Sequence, residues 1–404
     1  MNMDADRAPV SGTASGAGAG GTTFHYPVAG LPKIDPIWVE IIREKLQAIP
    51  DLVEADLTRI AFSPLIYEYK DYAVGMVDVA GRGIALARNG LPGFLASVIG
   101  RAVQDGIDVH GLAGIAPGDV LMTNWAPTIG QHANNVVMYT PVFDAAGTLV
   151  AFMSIISHWI DIGGRYPGSC SGTDTTDIFQ EGLQLRSVRL QRKGEMVDDM
   201  LRVIRHNSRL PDMLIGDVEA QLAGCIKGRQ MFEDLLARHG TAEVQAAIHA
   251  TWAASERSAR AAIRAIPEGS YTFHAFLDDD GVEHGKTIPV DVSVHVKDGD
   301  FIVDYSAVGE QLKGPFNSGF YGGAESSARI AFKYLFAPNE PANEGSFAPC
   351  KIVIPPGKFL SAGPTAPLAK YSTPLATVVD AIVAALAPAL PDRVAAGHHA
   401  QQGA

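Results

Sequence analysis

Two apolar runs separated by a short turn constrain this chain more than any other feature. Residues 136–142 (Val-Val-Met-Tyr-Thr-Pro-Val) and 148–157 (Thr-Leu-Val-Ala-Phe-Met-Ser-Ile-Ile-Ser) flank Asp144-Ala145-Ala146-Gly147. Runs of that length, apolar nearly throughout and bounded by turn residues, read as a hairpin covered on both faces. The chain must therefore build a sheet with a layer on each side. Both outer ends of the hairpin open into polar clusters: Gly130-Gln131-His132 precedes the first run, and His158-Trp159-Ile160-Asp161-Ile162-Gly163-Gly164 follows the second. Imidazoles and a carboxylate beside glycines at strand ends suggest a site, because backbone can approach a ligand closely there.

The 404 residues exceed what one core usually organises, so two or three domains are expected. Residues 1–30 are Gly/Ala-rich and bury too little to offset their ordering entropy, so they read as a disordered tail. Residues 31–192 read as an N-terminal α+β domain carrying the candidate site. Asp35-Pro36 marks a helix start, and Pro50 is expected to break that helix into two. A hairpin follows over 72–87, then a helix over 91–103 ending near Asp105-Gly106 and a strand at 120–123. Residues 193–266 read as a helical segment, with helices at 197–206, 211–239 and 241–266, the long ones serving as a spacer or an assembly arm. Residues 267–404 read as a β-rich domain with strands near 271–277, 288–296 and 301–308. The fold class is α+β, with mixed β-sheet domains and an inserted long-helix segment.

Charge and cysteine usage exclude several roles. A formal net charge of -12 argues against a general binder of nucleic acid or anionic membrane. Cys170, Cys225 and Cys350 are far apart and form no C-x-x-C pair, which fits a reducing, cytoplasmic setting. No run of about 18 apolar residues predicts a membrane span, and the first residues lack a signal-peptide layout.

Asp71, at the entry to the first strand, joins His132, His158 and Asp161 as possible ligands. Two imidazoles and two carboxylates suit a divalent ion such as Zn, Mn or Fe. Read from the residues alone, a hydrogen-bonded structural cluster is the commoner outcome. The chain has no Walker sequence and no dinucleotide fingerprint, so any nucleotide is expected on another chain. Cys170 could be a nucleophile, although loop filler is the simpler reading. Glu181 could be a carboxylate holding a ligand histidine, or a surface residue. Asp278-Asp279-Asp280-Gly281 lacks EF-hand spacing and reads as a plain acidic turn.

Taken in order, these segments resemble the hydantoinase B/oxoprolinase family. The resemblance runs through Tyr69-Lys70-Asp71-Tyr72, Gly118-Asp119-Val120, Gly130-Gln131-His132, Thr140-Pro141-Val142-Phe143 and His158 to Gly164. It continues through Ile178-Phe179-Gln180-Glu181-Gly182-Leu183, Asn343-Glu344-Gly345 and Ala389-Leu390-Pro391-Asp392-Arg393. It implies a subunit of an ATP-dependent multi-subunit enzyme, working with a hydantoinase A-type subunit that binds ATP and phosphorylates the substrate. The B-type chain would then hydrolyse or carboxylate the activated carbonyl compound or cyclic amide, with ketone carboxylation slightly favoured over hydantoin, oxoproline or lactam hydrolysis. A diverged, non-catalytic assembly subunit is the alternative. The resemblance places catalytic roles on His132, His158 and Asp161, and metal ligands on Asp71, His132, His158 and Asp161. Phe94, Trp125, Asn135 and Trp159 depart from the family pattern and imply a drier pocket. The glycine-rich stretch that usually follows Leu-Pro-Asp-Arg in the family is not in this sequence, which implies that it lies on another polypeptide or that the chain is incomplete.

Overall fold

The computed structural model describes residues 30–91, 96–168, 172–395 and 397. Residues 1–29 of the tail, Phe94 and Cys170 lie outside the described residues. The apolar hairpin forms as β4 (Asn135–Phe143) and β5 (Leu149–His158), with Asp144 accepting the N–H groups of Ala146 and Thr148 across the turn. They are the centre of a seven-stranded antiparallel sheet. Its other strands are β1 (Tyr72–Asp78), β2 (Gly83–Leu86), β3 (Val120–Thr123), β6 (Val188–Arg192) and β7 (Glu195–Met196), in the order β2-β1-β5-β4-β3-β6-β7.

Both faces of this sheet are covered, which is why β4 and β5 are apolar without clean alternation. Met138, Met153 and Ile155 face a layer made by helices Pro36–Ile60 and Pro211–His239. Val137, Tyr139, Phe152 and Ile156 face helix Ile99–His110. Helix Pro211–His239 of the helical segment is thus a layer on the first sheet. Gly224 and Gly228 make the close approach possible: a Cβ there would stand 2.7 Å from Ile155 Cδ1 and 2.6 Å from Met153 Sδ. Glycines that look like interruptions of a helix are its contact points with the sheet.

Two helix boundaries differ from expectation for related reasons. Pro50 lies inside one continuous helix, because Ile42, Leu46, Ile49, Val53 and Leu57 all bury along one stripe. Tertiary packing of that stripe outweighs the lost backbone bond. Helix Ile99–His110 runs past Gly106, which packs under Tyr139; a Cβ would come 2.0 Å from its hydroxyl. Asp105 does not cap the helix but binds Arg186 and Ser187.

The second sheet holds β8 (Gly269–Leu277), β9 (Ile288–Lys297), β10 (Asp300–Asp304) and β11 (Cys350–Val353), in the order β11-β10-β9-β8. Only the β10–β11 pair is parallel among them. Ile288, Val290, Val292, Val294 and Val296 alternate into a second core with helices Ser326–Phe336 and Ser372–Ala385. The architecture is α+β, as expected. In the acidic turn, Asp279 and Asp280 accept backbone N–H groups of their own loop, and Asp280 also accepts that of Gly314. Glu344 accepts the Gly83 N–H, tying the two units together, and Trp252 donates to the Gly83 carbonyl from the first unit's own helical layer. Among the described residues no helix is long and apolar enough to cross a membrane.

Candidate functional site

Strand register assembles the site. Tyr72 pairs with Ser157 and Asn135 with His158, so the end of β5 lies between the starts of β1 and β4. Lys70 adopts a left-handed φ of 58° just before β1, an unusual conformation for a side chain with a Cβ. That turn leaves the Asp71 carbonyl accepting the His158 N–H at 2.9 Å. The side chains follow: Asp71 Oδ2 stands 3.5 Å from His158 Nδ1, which makes no hydrogen bond. The His132 ring packs edge-on against His158, with centroids 4.8 Å apart.

Asn135 orients His132. Its amide nitrogen donates to Gln131 Oε1 and to the Tyr371 hydroxyl, so its Oδ1 must accept. His132 Nε2 therefore donates to Asn135 Oδ1 at 2.8 Å, which leaves Nδ1 as the lone-pair nitrogen, 3.4 Å from the Ala369 carbonyl. Tyr371 stacks edge-on against the same imidazole at 4.9 Å. The first unit thus supplies the titratable groups, and residues 369–371 of the second close over them.

Electrostatics match this enclosure. Desolvation pushes the Asp71 carboxyl up to about 7. It pulls His132 down to about 4, partly opposed by its bond to Asn135. His158 falls well below the usual histidine range through desolvation and its neighbour His132. Both imidazoles are neutral at neutral pH, the form that binds metals.

Asp161, the fourth residue of the expected set, is engaged by Arg209. It is fully buried, but Arg209 Nη1 donates to its Oδ1 at 2.7 Å and the Arg209 N–H to its Oδ2 at 2.5 Å. Arg209 also donates to the Gly164 carbonyl. Three residues of separation suggested that His158 and Asp161 share a target. The chain instead turns after β5, and the carboxylate anchors the loop before helix Pro211–His239. Among the described residues, no group of three or more His, Cys, Asp or Glu side chains is positioned to hold a metal ion. Arg209→Ala should therefore destabilise the fold by about 3 kcal/mol, because it strands a buried charge. Asp161→Asn should do likewise while leaving Zn²⁺ titration of the folded protein unchanged. Urea unfolding with calorimetry checks both, and selective loss of Zn²⁺ binding in Asp161→Asn would restore it as a ligand.

Glu181 is fully buried and holds backbone instead of an imidazole. Its Oε2 accepts the Ala133 N–H at 3.1 Å and its Oε1 accepts the Leu368 N–H at 2.5 Å. It clamps the His132 loop to the covering segment. Trp159 does not line the site either: its indole is buried against helix Pro211–His239 and donates to Gln221 at 3.0 Å. The drier pocket inferred from it does not follow. Asn135, read as another loss of polarity, is the polar partner of His132. Tyr371 and Arg209 gave no local signal in the sequence.

The family described as Hydantoinase B/oxoprolinase matches residues 35–403. A protein of Pseudomonas sp. (strain NS671), provisionally named as the B component of a D-/L-hydantoinase, is 30% identical over 91% of this chain and 64% of its own length. The crystal structure of the ATP-dependent caprolactamase from Pseudomonas jessenii superposes with a TM-score of 0.80 at 27% identity, over 90% of this chain and 62% of that one. The nucleotide-free structure of acetone carboxylase superposes at 0.82 over 91% of this chain and 50% of that one; at 17% identity this is a likeness of fold. The chain thus spans less than two thirds of the length of these relatives. With a family match that runs from the first helix almost to the last residue, the chain belongs to the hydantoinase B/oxoprolinase family.

Proposed function

We propose that this chain is the substrate-converting subunit of an ATP-dependent enzyme that opens a cyclic amide, working with a hydantoinase A-type subunit that binds ATP and phosphorylates the substrate carbonyl. The observation that carries the reading is the enclosed Asp71–His158–His132 cluster, with one imidazole nitrogen left unbonded. Relatives named for hydantoinase and caprolactamase chemistry, at 27–30% identity, favour hydrolysis over ketone carboxylation. Three widely spaced cysteines support a cytoplasmic setting.

The donor types suit a divalent ion in their chemistry, a desolvated carboxylate, an orphaned Nδ1 on His158 and a lone-pair Nδ1 on His132, although the three side chains would have to draw together to hold one. Asp71, His158 and His132 are the residues that would hold Zn, Mn or Fe. Such an ion supplies Lewis-acid polarisation of the substrate carbonyl. The rest falls to the chain itself. Asp71, as the carboxylate, accepts a proton from an incoming water. Asn135 fixes the His132 tautomer, as a partner beyond the ligands commonly does. Tyr371 and the 369–371 segment cover the site, and excluding bulk water protects a reactive phosphorylated intermediate.

The test is reconstitution with an ATP-binding subunit from the same genomic neighbourhood. Purified complex, ATP and a panel of hydantoins, 5-oxoproline and caprolactam should give ring-opened product, whereas acetone with bicarbonate should not be carboxylated. His132→Ala should remove product formation. Full activity in that variant would favour the non-catalytic assembly role, and carboxylation without ring opening would favour the carboxylase reading.

A further inference from the structure

A cavity lies away from the histidines, between the two units. It measures about 550 Å³, within the ~300–1,000 Å³ typical of small-molecule sites. One wall is the β1–β2 turn and the start of helix Ile99–His110, where Gly81 and Gly100 touch; a Cβ on Gly100 would stand 1.9 Å from the Gly81 carbonyl oxygen. The other wall comes from helix Ser326–Phe336, the π-helical turn Tyr321–Glu325 that precedes it, and the Asn343-Glu344-Gly345 segment. That segment belongs to the family-like series in the sequence and has no part in the histidine site.

The charges around this cavity are unequal. Arg82, Arg101, Arg329 and Lys333 line it, against the carboxylates of Glu325 and Glu344. Arg329 is matched by Glu325 at 2.6 Å and stacks on Phe347. Arg82 is matched by Asp78 at 2.7 Å and stacks on Trp252. Lys333 donates to the carbonyls of Ala337 and Glu340. Arg101 differs. Its ion-pair contact is Asp108 at 3.9 Å, outside the cavity, and its amide contact to Gln104 is a long 3.5 Å. Its guanidinium keeps donors for a ligand, beside the Tyr321 ring.

We propose that this cavity binds a small organic monocarboxylate, its carboxylate on Arg101 and its apolar body between Val77, Ile330 and Phe347. A guanidinium with open donors matches a carboxylate bidentately. The two glutamates disfavour a dianion such as a phosphate monoester, since like charges in a poorly solvated space repel strongly. Apolar walls select against acetate-sized anions. Because both units form the walls, the ligand holds them together.

Calorimetric titration of the full chain tests this, with 4-phenylbutyrate as the carboxylate probe and 4-phenylbutylamine as its cationic counterpart. The acid should bind with Kd on the order of 1 mM or tighter, and the amine should not bind. Arg101→Glu should weaken the acid by about tenfold or more. Should that variant unfold, Ala342→Phe, which fills the cavity and spares Arg101, should remove binding. His132→Ala should leave binding unchanged. No saturable binding by the wild type, equal binding of the amine, binding that survives Arg101→Glu in a folded protein, or loss in His132→Ala would each overturn the assignment.

Discussion

Asp71→Ala and His158→Ala should each lower affinity for Zn²⁺ or Mn²⁺ by about 100-fold or more and cut turnover of the reconstituted complex by at least as much. These two side chains face each other 3.5 Å apart at a strand end, with no competing hydrogen bond on the imidazole. Losing either removes half of the pair. His132→Ala should cost less metal affinity, because its lone-pair Nδ1 lies 3.4 Å from the Ala369 carbonyl, whereas Nδ1 of His158 is unbonded. Asn135→Leu releases the ring from its fixed tautomer and should reproduce part of the same loss without removing an imidazole. Titration calorimetry on the isolated chain reads the metal part independently of any partner. Wild-type protein that takes up no stoichiometric metal, with all four variants alike, would sink the metal reading and leave the cluster as hydrogen-bonded structure.

The sequence carried the fold where one physical signal ruled. Apolar runs bounded by turn residues placed β4 and β5, and the strand-like run at 288–296 placed β9. It failed where two signals competed. Pro50 is a helix breaker by its own chemistry, yet five buried side chains on either side keep the helix whole. Gly224 and Gly228 read as weak points, yet they are where the helix meets Ile155 and Met153. The site shows the same division. Asp71 and His158 stand at strand ends, so register brings them together, and His132 sits on the short loop just before β4. Asp161 lies past the strand, where direction is set by a loop, and Arg209, forty-eight residues on, decides where its carboxylate goes. Tyr371 comes from the other unit and has no neighbour in sequence to announce it. Residue spacing could not supply contacts made across a domain junction.

Glu181→Ala should destabilise the protein by about 3–5 kcal/mol and abolish activity even though Glu181 touches neither imidazole. Removing the carboxyl leaves the Ala133 and Leu368 N–H groups buried without their acceptor, at about 1–3 kcal/mol each, and opens a cavity beside them. The His132 loop and the 368–371 cover then lose their common clamp. Glu181→Gln keeps the volume and one acceptor, so it should cost less, and its cost should depend on pH. Burial pushes Glu181 up to about 8 against the pull of those backbone N–H groups, from an ordinary 4.5. A carboxyl raised on folding contributes its full stability below the unfolded value and loses it as pH climbs through the folded one. Wild-type stability should therefore fall with pH between about 4.5 and 8 by up to ~1.4 kcal/mol per unit from this group. Glu181→Gln lacks that term, so its penalty relative to wild type should shrink as pH rises from about 5 to 8. Urea unfolding at several pH values reads the difference. A penalty that grows with pH would mean that the N–H groups outweigh burial, and that the His132 loop is held by a carboxylate throughout.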